Sequence, residues 1–293
     1  MRPVHFLLAM LVPATWGLGL TFGKAGLGEM PPLLLMSFRF ALTALTLVWF
    51  VRIPRGVLLR LCGIAVFGCT LQYGLTFTGM KYLDVATTTL IIHLEVPFGV
   101  IAAAILLKER IGWRRALGIA TAFGGLVVMY GAPSVQSNPL PALMVVGGAL
   151  TWAIGQVMIK RVGNLGGFVT IAWLAVFAAP QLFLASLLVE DGQWQAVRDA
   201  TWVGWGAVAY MGVVMTAGGY ALWYHLLGIY RVNQVMPFLL LIPIASILSA
   251  MILLGETPAP VVLVGGAVIM VGVAAIVIEP EAWRRRAQPI ARR

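Results

Sequence analysis

Pro13-Ala14-Thr15-Trp16-Gly17-Leu18-Gly19-Leu20-Thr21-Phe22-Gly23-Lys24 returns 136 residues later as Thr151-Trp152-Ala153-Ile154-Gly155-Gln156-Val157-Met158-Ile159-Lys160. Thr, Trp, Gly and Lys recur at identical spacing inside two apolar runs. A second echo holds at an offset of 147: Tyr73 with Tyr220, Val85 with Val232, Glu109 with Glu256, Gly118 with Gly265, and Gly125 with Gly272. Val96-Pro97 through Glu109 also parallels Ile242-Pro243 through Glu256, with the prolines one place out of register. The chain reads as two copies of one unit.

The composition says where such a unit lives. Of the 293 residues, 61% are hydrophobic and 10% charged, against about 25% charged in a soluble domain. Mean hydropathy is +0.96. The apolar runs reach the ~17–25 residues that cross a bilayer as a helix. They do not alternate as transmembrane strands would. This is an all-α integral membrane protein of the cell (inner, plasma) membrane. The net charge of +10 does not indicate nucleic acid, because the basic residues lie between apolar runs and in the tail. Residues 1–22 are read as a membrane helix and not as a cleaved signal, since Pro13 and Trp16 interrupt the run and no small-residue cleavage site precedes a soluble body.

Ten apolar runs are legible, separated by short connections with breakers such as Pro31-Pro32, Pro133 and Asn138-Pro139. Placing the N-terminus inside puts sixteen of the 20 basic residues in inside segments, including Arg2, Arg231 and the five arginines of the tail. Lysine and arginine set orientation, so both termini are expected to be cytoplasmic. The expected division is a five-helix repeat over 1–133, an extracytoplasmic linker over 134–140, a second five-helix repeat over 141–280 and a basic cytoplasmic tail over 281–293. Five is odd, so the second copy enters from the opposite side. The two halves are expected to be inverted, an architecture that secondary transporters use to build a mid-membrane site.

Ten helices in two such halves, Arg39-Phe40 in the second helix, and the Leu-Leu-x-Glu endings at Leu106 to Glu109 and Leu253 to Glu256 resemble the drug/metabolite transporter superfamily, EamA type. The resemblance covers nearly the whole chain. It implies export of amino acids or other small metabolites without an ATPase, with the aromatic and general amino-acid exporters as the nearest group. Exporters of other drugs or organic cations are the alternative, with a membrane-embedded enzyme or a non-transporting scaffold as the alternatives of a different class. Lys108 departs from the pattern, since the second half has the more usual Gly255. Glu95 departs too, because the family commonly has a neutral residue there.

Glu95 is the sharpest single feature. About 11 residues into the fourth helix, it lies near the bilayer centre, where a charge is costly and usually functional. It reads either as a cavity-lining carboxylate for a substrate cation or proton, or as a structural Glu, neutral or paired with Arg39. Arg39 is read as structural, snorkelling outward or paired with a carboxylate or helix-end carbonyls. His93 lies two residues from Glu95, so the two cannot face one cavity, and it reads as a packed histidine. Trp16 and Trp152 sit half-way through their helices, away from the interface where Trp is usual. Gln156 follows Trp152 by one turn. Tyr73 is expected near the outer end of its helix and Tyr220 near the inner end of its own, as gates on opposite sides. The expected lining of the pathway is Trp16, Gln72, Tyr73, Thr76, Glu95, Trp152, Gln156, Tyr220 and Trp223. Trp113, Trp194, Trp202, Trp205 and Trp283 lie near helix ends as interfacial anchors.

Pro97 and Pro243 interrupt the fourth and ninth helices near mid-depth, as paired hinges or as fixed bends. Glycines Gly118, Gly124 and Gly125, with Gly265, Gly266 and Gly272, recur about seven apart and suit close helix packing, within one chain or between chains. A monomer or weak homo-oligomer is expected. No nucleophile, metal or paired-carboxylate constellation is legible, so neither an embedded enzyme nor any cofactor is expected. The expected partners are a small-molecule metabolite, an amino acid foremost, and the lipid bilayer.

Overall fold

The computed structural model describes residues 3–163, 165–230 and 232–278. Arg2, Arg231, Trp283 and the basic tail over 281–293 lie outside the described residues. Among the described residues nine helices are long and apolar enough to span a membrane: α1 (Val4–Gly26), α2 (Pro32–Phe50), α3 (Leu58–Tyr82), α4 (Val85–Leu107), α6 (Leu140–Val162), α7 (Gly167–Val189), α8 (Trp202–Ile229), α9 (Met236–Leu254) and α10 (Pro260–Val277). Between α4 and α6 lies α5 (Trp113–Met129), 17 residues long. At ~1.5 Å per residue it nearly crosses the ~30 Å hydrocarbon layer. The linker expected over 134–140 holds a short helix, Pro133–Ser137. The face on which α1 begins is called proximal below, and the opposite face distal.

The first helix of each half is packed into the other half. The main partners of α1 are α8 and α9, and those of α6 are α3 and α4. Small residues permit this. A Cβ on Gly17 of α1 would lie 2.7 Å from Ala245 of α9, and one on Gly155 of α6 would lie 2.6 Å from Gly68 of α3. The remaining pairs are α2 on α7 and α5 on α10. In the latter pair Gly118 meets Gly272 and Gly125 meets Gly265. Shifted by the 147-residue offset, the first contact becomes the second, so the interface is self-complementary. The glycine stripes are therefore used inside the chain. Gly124 is off the stripe with nothing within 4 Å of its Cβ position, and Gly266 turns to Leu90 of α4.

Each half carries the same two interruptions. The third helix is π-wound in its middle, over Val66–Leu71 in α3 and Tyr210–Gly218 in α8. The fourth is broken near mid-depth. In α4 the break falls at His93 and Leu94, before Glu95. In α9 the 3-10 turn Met236–Leu241 hands over to an α-helix at Ile242. Proline is the cause. Pro97 has no N–H for the His93 carbonyl and its ring would collide with it. The Val96 amide takes that carbonyl instead, at 3.2 Å, and ahead of Pro243 the Ile242 amide takes Leu239 O in the same way. Both helices end in a left-handed residue, Lys108 at φ 57° and Gly255 at φ 68°.

The distal face is closed by carboxylates on helix N-termini, where unsatisfied amides and the helix dipole favour negative charge. Glu190 accepts from Leu33 N at 2.8 Å and Leu34 N at 3.2 Å, at the start of α2. Glu256 accepts from Val85 N at 2.7 Å, at the start of α4. Glu29 accepts from Thr201 N and Gly204 N, each at 2.9 Å, at the start of α8. Outward-facing side chains such as Leu59, Val127 and Leu188 are at least 73% exposed, as a lipid-facing belt requires. Trp113, Trp194, Trp202 and Trp205 are exposed near helix ends.

Gly125→Ala places a methyl 2.5 Å from Gly265 O and is expected to cost about 1–3 kcal/mol. Gly124→Ala, one residue away, is expected to stay within about 0.5 kcal/mol of wild type. Thermal unfolding of the detergent-solubilised protein separates the two, and equal losses would refute this packing. The Thr201 hydroxyl, followed by the Thr201 and Gly204 amides, holds the Glu29 carboxyl below its ordinary value. A lowered folded value stabilises fully above the unfolded value, about 4.3, and the stabilisation disappears as pH falls through the folded one. Glu29→Gln should therefore melt below wild type at neutral pH, with the gap closing under acid. A gap independent of pH would refute the cap.

Candidate functional site

Glu95 opens the second segment of α4 and is half-buried beside a cavity of about 250 Å³. Glu95, Gly99 and Ala103 form one wall, spaced four apart on α4, so they share a helical face. Trp152 of α6 also lines the cavity, and Glu109 and Arg110 lie at the proximal end. The cavity thus runs from mid-depth to the proximal face. Its small wall residues make the room, and the proline-induced break aims the carboxylate into it. The repeat mate of Glu95 is Ile242, so this charge belongs to one half only.

Arg39 is the other deep charge, and it does not pair with Glu95. It is 2% exposed, which rules out snorkelling. Among the described residues it has neither a carboxylate nor a helix-end carbonyl as partner. Its guanidinium carbon lies 4.3 Å from the centroid of the Tyr73 ring and 5.1 Å from that of Phe40. Nη2 donates to the Tyr73 hydroxyl at 3.4 Å, and Nη1 lies 3.8 Å from Met36 Sδ. Cation–π contacts gain strength when desolvated, to ~2 kcal/mol or more. Aromatic faces thus take the place of the expected carboxylate or carbonyls. Arg39 Nε has no hydrogen-bond partner among the described residues.

Trp16 joins Tyr220 and Trp223 of α8, at ring-centroid distances of 5.1 and 6.1 Å. Its indole N–H donates to Met215 O at 3.2 Å. Met215 lies in the π-wound segment of α8. Such widened turns leave carbonyls available to side chains and often occur at functional sites. Tyr220 is within electrostatic range of Tyr73 and Arg39. Of the two tyrosines expected as gates, Tyr220 belongs to the Trp16 cluster and Tyr73 to the Arg39 cluster.

Gln72 and Thr76 are buried one turn apart on α3, against Gly148 of α6. Gln72 Oε1 and Thr76 Oγ1 have no partner among the described residues, nor has Thr89 Oγ1 on α4. Buried polar atoms are normally satisfied. Gln156 is exposed and is not part of the cavity wall. Pro97 and Pro243 are both buried and sit at the helix breaks. His93 is buried with Nδ1 2.8 Å from Thr89 O, and among the described residues no group of side chains could hold a metal ion. Residue patterns missed Gly99 and Ala103, although their spacing from Glu95 was a usable signal. They gave no sign of the Met215 carbonyl, because a main-chain acceptor leaves no mark on residue type.

The two lysines of the repeated motif end on opposite faces, each beside a Glu of the Leu-Leu-x-Glu endings. On the distal face Lys24 donates to Met80 O and Leu83 O, each at 2.7 Å, and to Lys81 O at 3.2 Å. Glu256 and Asp84 are within its electrostatic range. Burial raises the Glu256 carboxyl above its ordinary value, against the pull of Val85 N–H and Lys24. On the proximal face Lys160 pairs with Glu109 at 2.6 Å, and the pair is open, with side chains 64% and 47% exposed. Arg161 donates to Leu106 O beside it.

Comparison with known proteins agrees with this architecture. The profile of the EamA-like transporter family matches twice, over residues 4–131 and 139–278. A protein of Salmonella typhimurium named "Probable amino-acid metabolite efflux pump" is 31% identical over 278 residues, covering 90% of this chain and 92% of its own length. An Escherichia coli protein of the same name is 29% identical over 90% of this chain and 92% of its own. A "Probable terminal-alkyne amino-acid exporter" of Streptantibioticus cattleyicolor is 28% identical over 93% and 90%. A solved crystal structure, 21% identical, superposes with a TM-score of 0.61 over 96% of this chain and 99% of its own, which is a likeness of fold. With two copies of the family's domain covering nearly its whole length, the chain belongs to the EamA-like transporter family and is a multi-pass membrane transporter, not an enzyme.

Proposed function

We propose that the protein exports amino acids or related small metabolites by alternating access between two inverted halves, with both termini cytoplasmic. The observation that carries this is the unequal state of two equivalent closures. The Lys24 clasp ties α1 to the end of α3 on the distal face and is half-buried. Its repeat mate Lys160 lies in an exposed pair at the mouth of the cavity. Halves of like construction, one end tied and the other open, can exchange roles by a small rocking motion. The proximal face is then the cytoplasmic one, in keeping with its arginines and with acidic caps on the distal side.

Several features support the rest of the reading. The mid-depth groups Glu95, Trp152, Trp16, Tyr73 and Tyr220 are drawn from both halves. Gln72, Thr76 and Thr89 leave polar atoms that a substrate or water can satisfy in another state. The two buried prolines sit where α4 and α9 bend, as hinges require. The relatives' names point to amino-acid metabolites as cargo. About 250 Å³ is at the small end for a ligand site and suits molecules of that size.

Purified protein in liposomes loaded with unlabelled amino acids should show saturable counterflow of the labelled compound. Protein-free liposomes should show none. Absence of saturable exchange across a panel of amino acids and simple metabolites would reject the proposal. Lys24→Gln removes a charged donor from three carbonyls and should cost about 1.5–3 kcal/mol. Lys160→Gln opens only an exposed pair and should cost about 0–1 kcal/mol. Both are read from thermal unfolding, with the counterflow rate of Lys24→Gln also reduced. If Lys160→Gln proves the more damaging, the assignment of closed and open faces is reversed.

A further inference from the structure

We propose that the Glu95–Trp152 end of the cavity is a subsite for an organic ammonium carried on an apolar stem, so that among amino acids the basic ones are preferred. This rests on the transporter reading above and names the substrate class for the same cavity.

Three observations carry it. Glu95 makes no hydrogen bond or ion pair with any described residue, although it lies at mid-depth in a spanning helix. Arg39, the one fully buried lysine or arginine among the described residues, is held between Tyr73 and Phe40. Trp152 of α6 lines the same cavity, and Trp is the aromatic side chain that best receives a cation. A carboxylate and an indole on one cavity are a pair of groups that both favour an ammonium, and neither favours an anion.

The distances then choose among amines. Arg110, at the mouth, is 15 residues beyond Glu95. Twelve of those complete α4, which places the mouth about 18 Å from Glu95 along the axis. Within an α-amino acid the ammonium and the carboxylate are only about 3 Å apart. A neutral amino acid whose α-ammonium met Glu95 would hold its own carboxylate beside a second carboxylate, while the two arginines of the lining, Arg110 and Arg115, belong to the mouth end. A basic amino acid avoids this conflict. Its side-chain ammonium reaches Glu95 and its methylenes lie along Gly99, Val100 and Ala103. Its α-ammonium and α-carboxylate then lie about 6 Å from Glu95, toward the end where Glu109, Arg110 and Arg115 supply both signs of charge. The repeat mate Ile242 offers no such group, so the preference belongs to the first half alone.

Lysine and norleucine test the idea, because their stems are alike and only lysine ends in an ammonium. The full-length chain in liposomes is assayed for counterflow of each labelled compound. Wild type should half-saturate with lysine at a concentration about tenfold or more below that for norleucine. In Glu95→Gln this ratio should fall to within about threefold, whereas Glu95→Asp, which keeps the charge, should retain a clear preference for lysine. Trp152→Leu should shrink the ratio and Trp152→Phe should preserve more of it. These two variants carry the test if Glu95→Gln does not elute as a folded species on size exclusion. A wild-type preference for norleucine, equal half-saturation, or an unchanged ratio in Glu95→Gln and Trp152→Leu would each overturn the subsite while leaving the transporter reading intact. Exchange of neither compound, nor of any other amino acid, would overturn both.

Discussion

Inside a bilayer no water is at hand to satisfy a backbone amide, so irregular backbone survives only where protein or a polar cavity encloses it. This constraint organises the chain. The departures from regular helix inside the spans fall at equivalent points of the two halves. They are the widened turns of α3 and α8 and the proline breaks of α4 and α9. Each break is bridged by an amide three residues on, at Val96 and Ile242. Each widened turn lies against a helix of the opposite half, where Trp16 takes up the Met215 carbonyl and Gly155 closes on Gly68. The same rule governs the helix ends. On the distal face Glu29, Glu190 and Glu256 satisfy amides of α8, α2 and α4.

The two deep charges are handled in opposite ways. Arg39 is removed from both lipid and cavity by a wall of rings, which makes it part of the frame. Glu95 is left half-exposed to a cavity, with no partner among the described residues. Removing the cage would strand a buried cation, and such stranding is strongly destabilising. The carboxylate instead has access to the proximal side, so water or a ligand can satisfy it. A frame charge and a working charge are thus distinguishable by what surrounds them, although both lie deep in spanning helices.

Much of the fold was legible because a duplicated chain repeats its constraints. Trp16 with Trp152, Lys24 with Lys160 and the Glu109 and Glu256 endings marked the units. Hydropathy and breakers marked the ten helices, though α5 is the shortest. What stayed hidden depended on helix phase or on the main chain. Gly124 and Gly125 are neighbours, and only the rotation of α5 decides that Gly125 meets α10 while Gly124 meets nothing. A π-wound turn adds a residue per turn and rotates everything after it. The faces of Gln72, Tyr73 and Tyr220 therefore could not be extrapolated from the starts of α3 and α8. Gln156 lay one turn from Trp152 and is exposed nonetheless. Arg39 was read as structural from its residue type and position, but the aromatic cage depends on contacts between helices that spacing alone does not disclose.

The exchange of α1 and α6 between halves bears on how the chain is made. A nascent membrane protein releases its helices in order, yet α1 packs mainly on α8 and α9. Helix α1 must therefore wait, without its final neighbours, until α8 and α9 have been synthesised. Until α6 follows, the first five helices also lack the helix that packs on both α3 and α4. Neither half is a finished building block, and the second is as much a chaperone for the first as its symmetric copy.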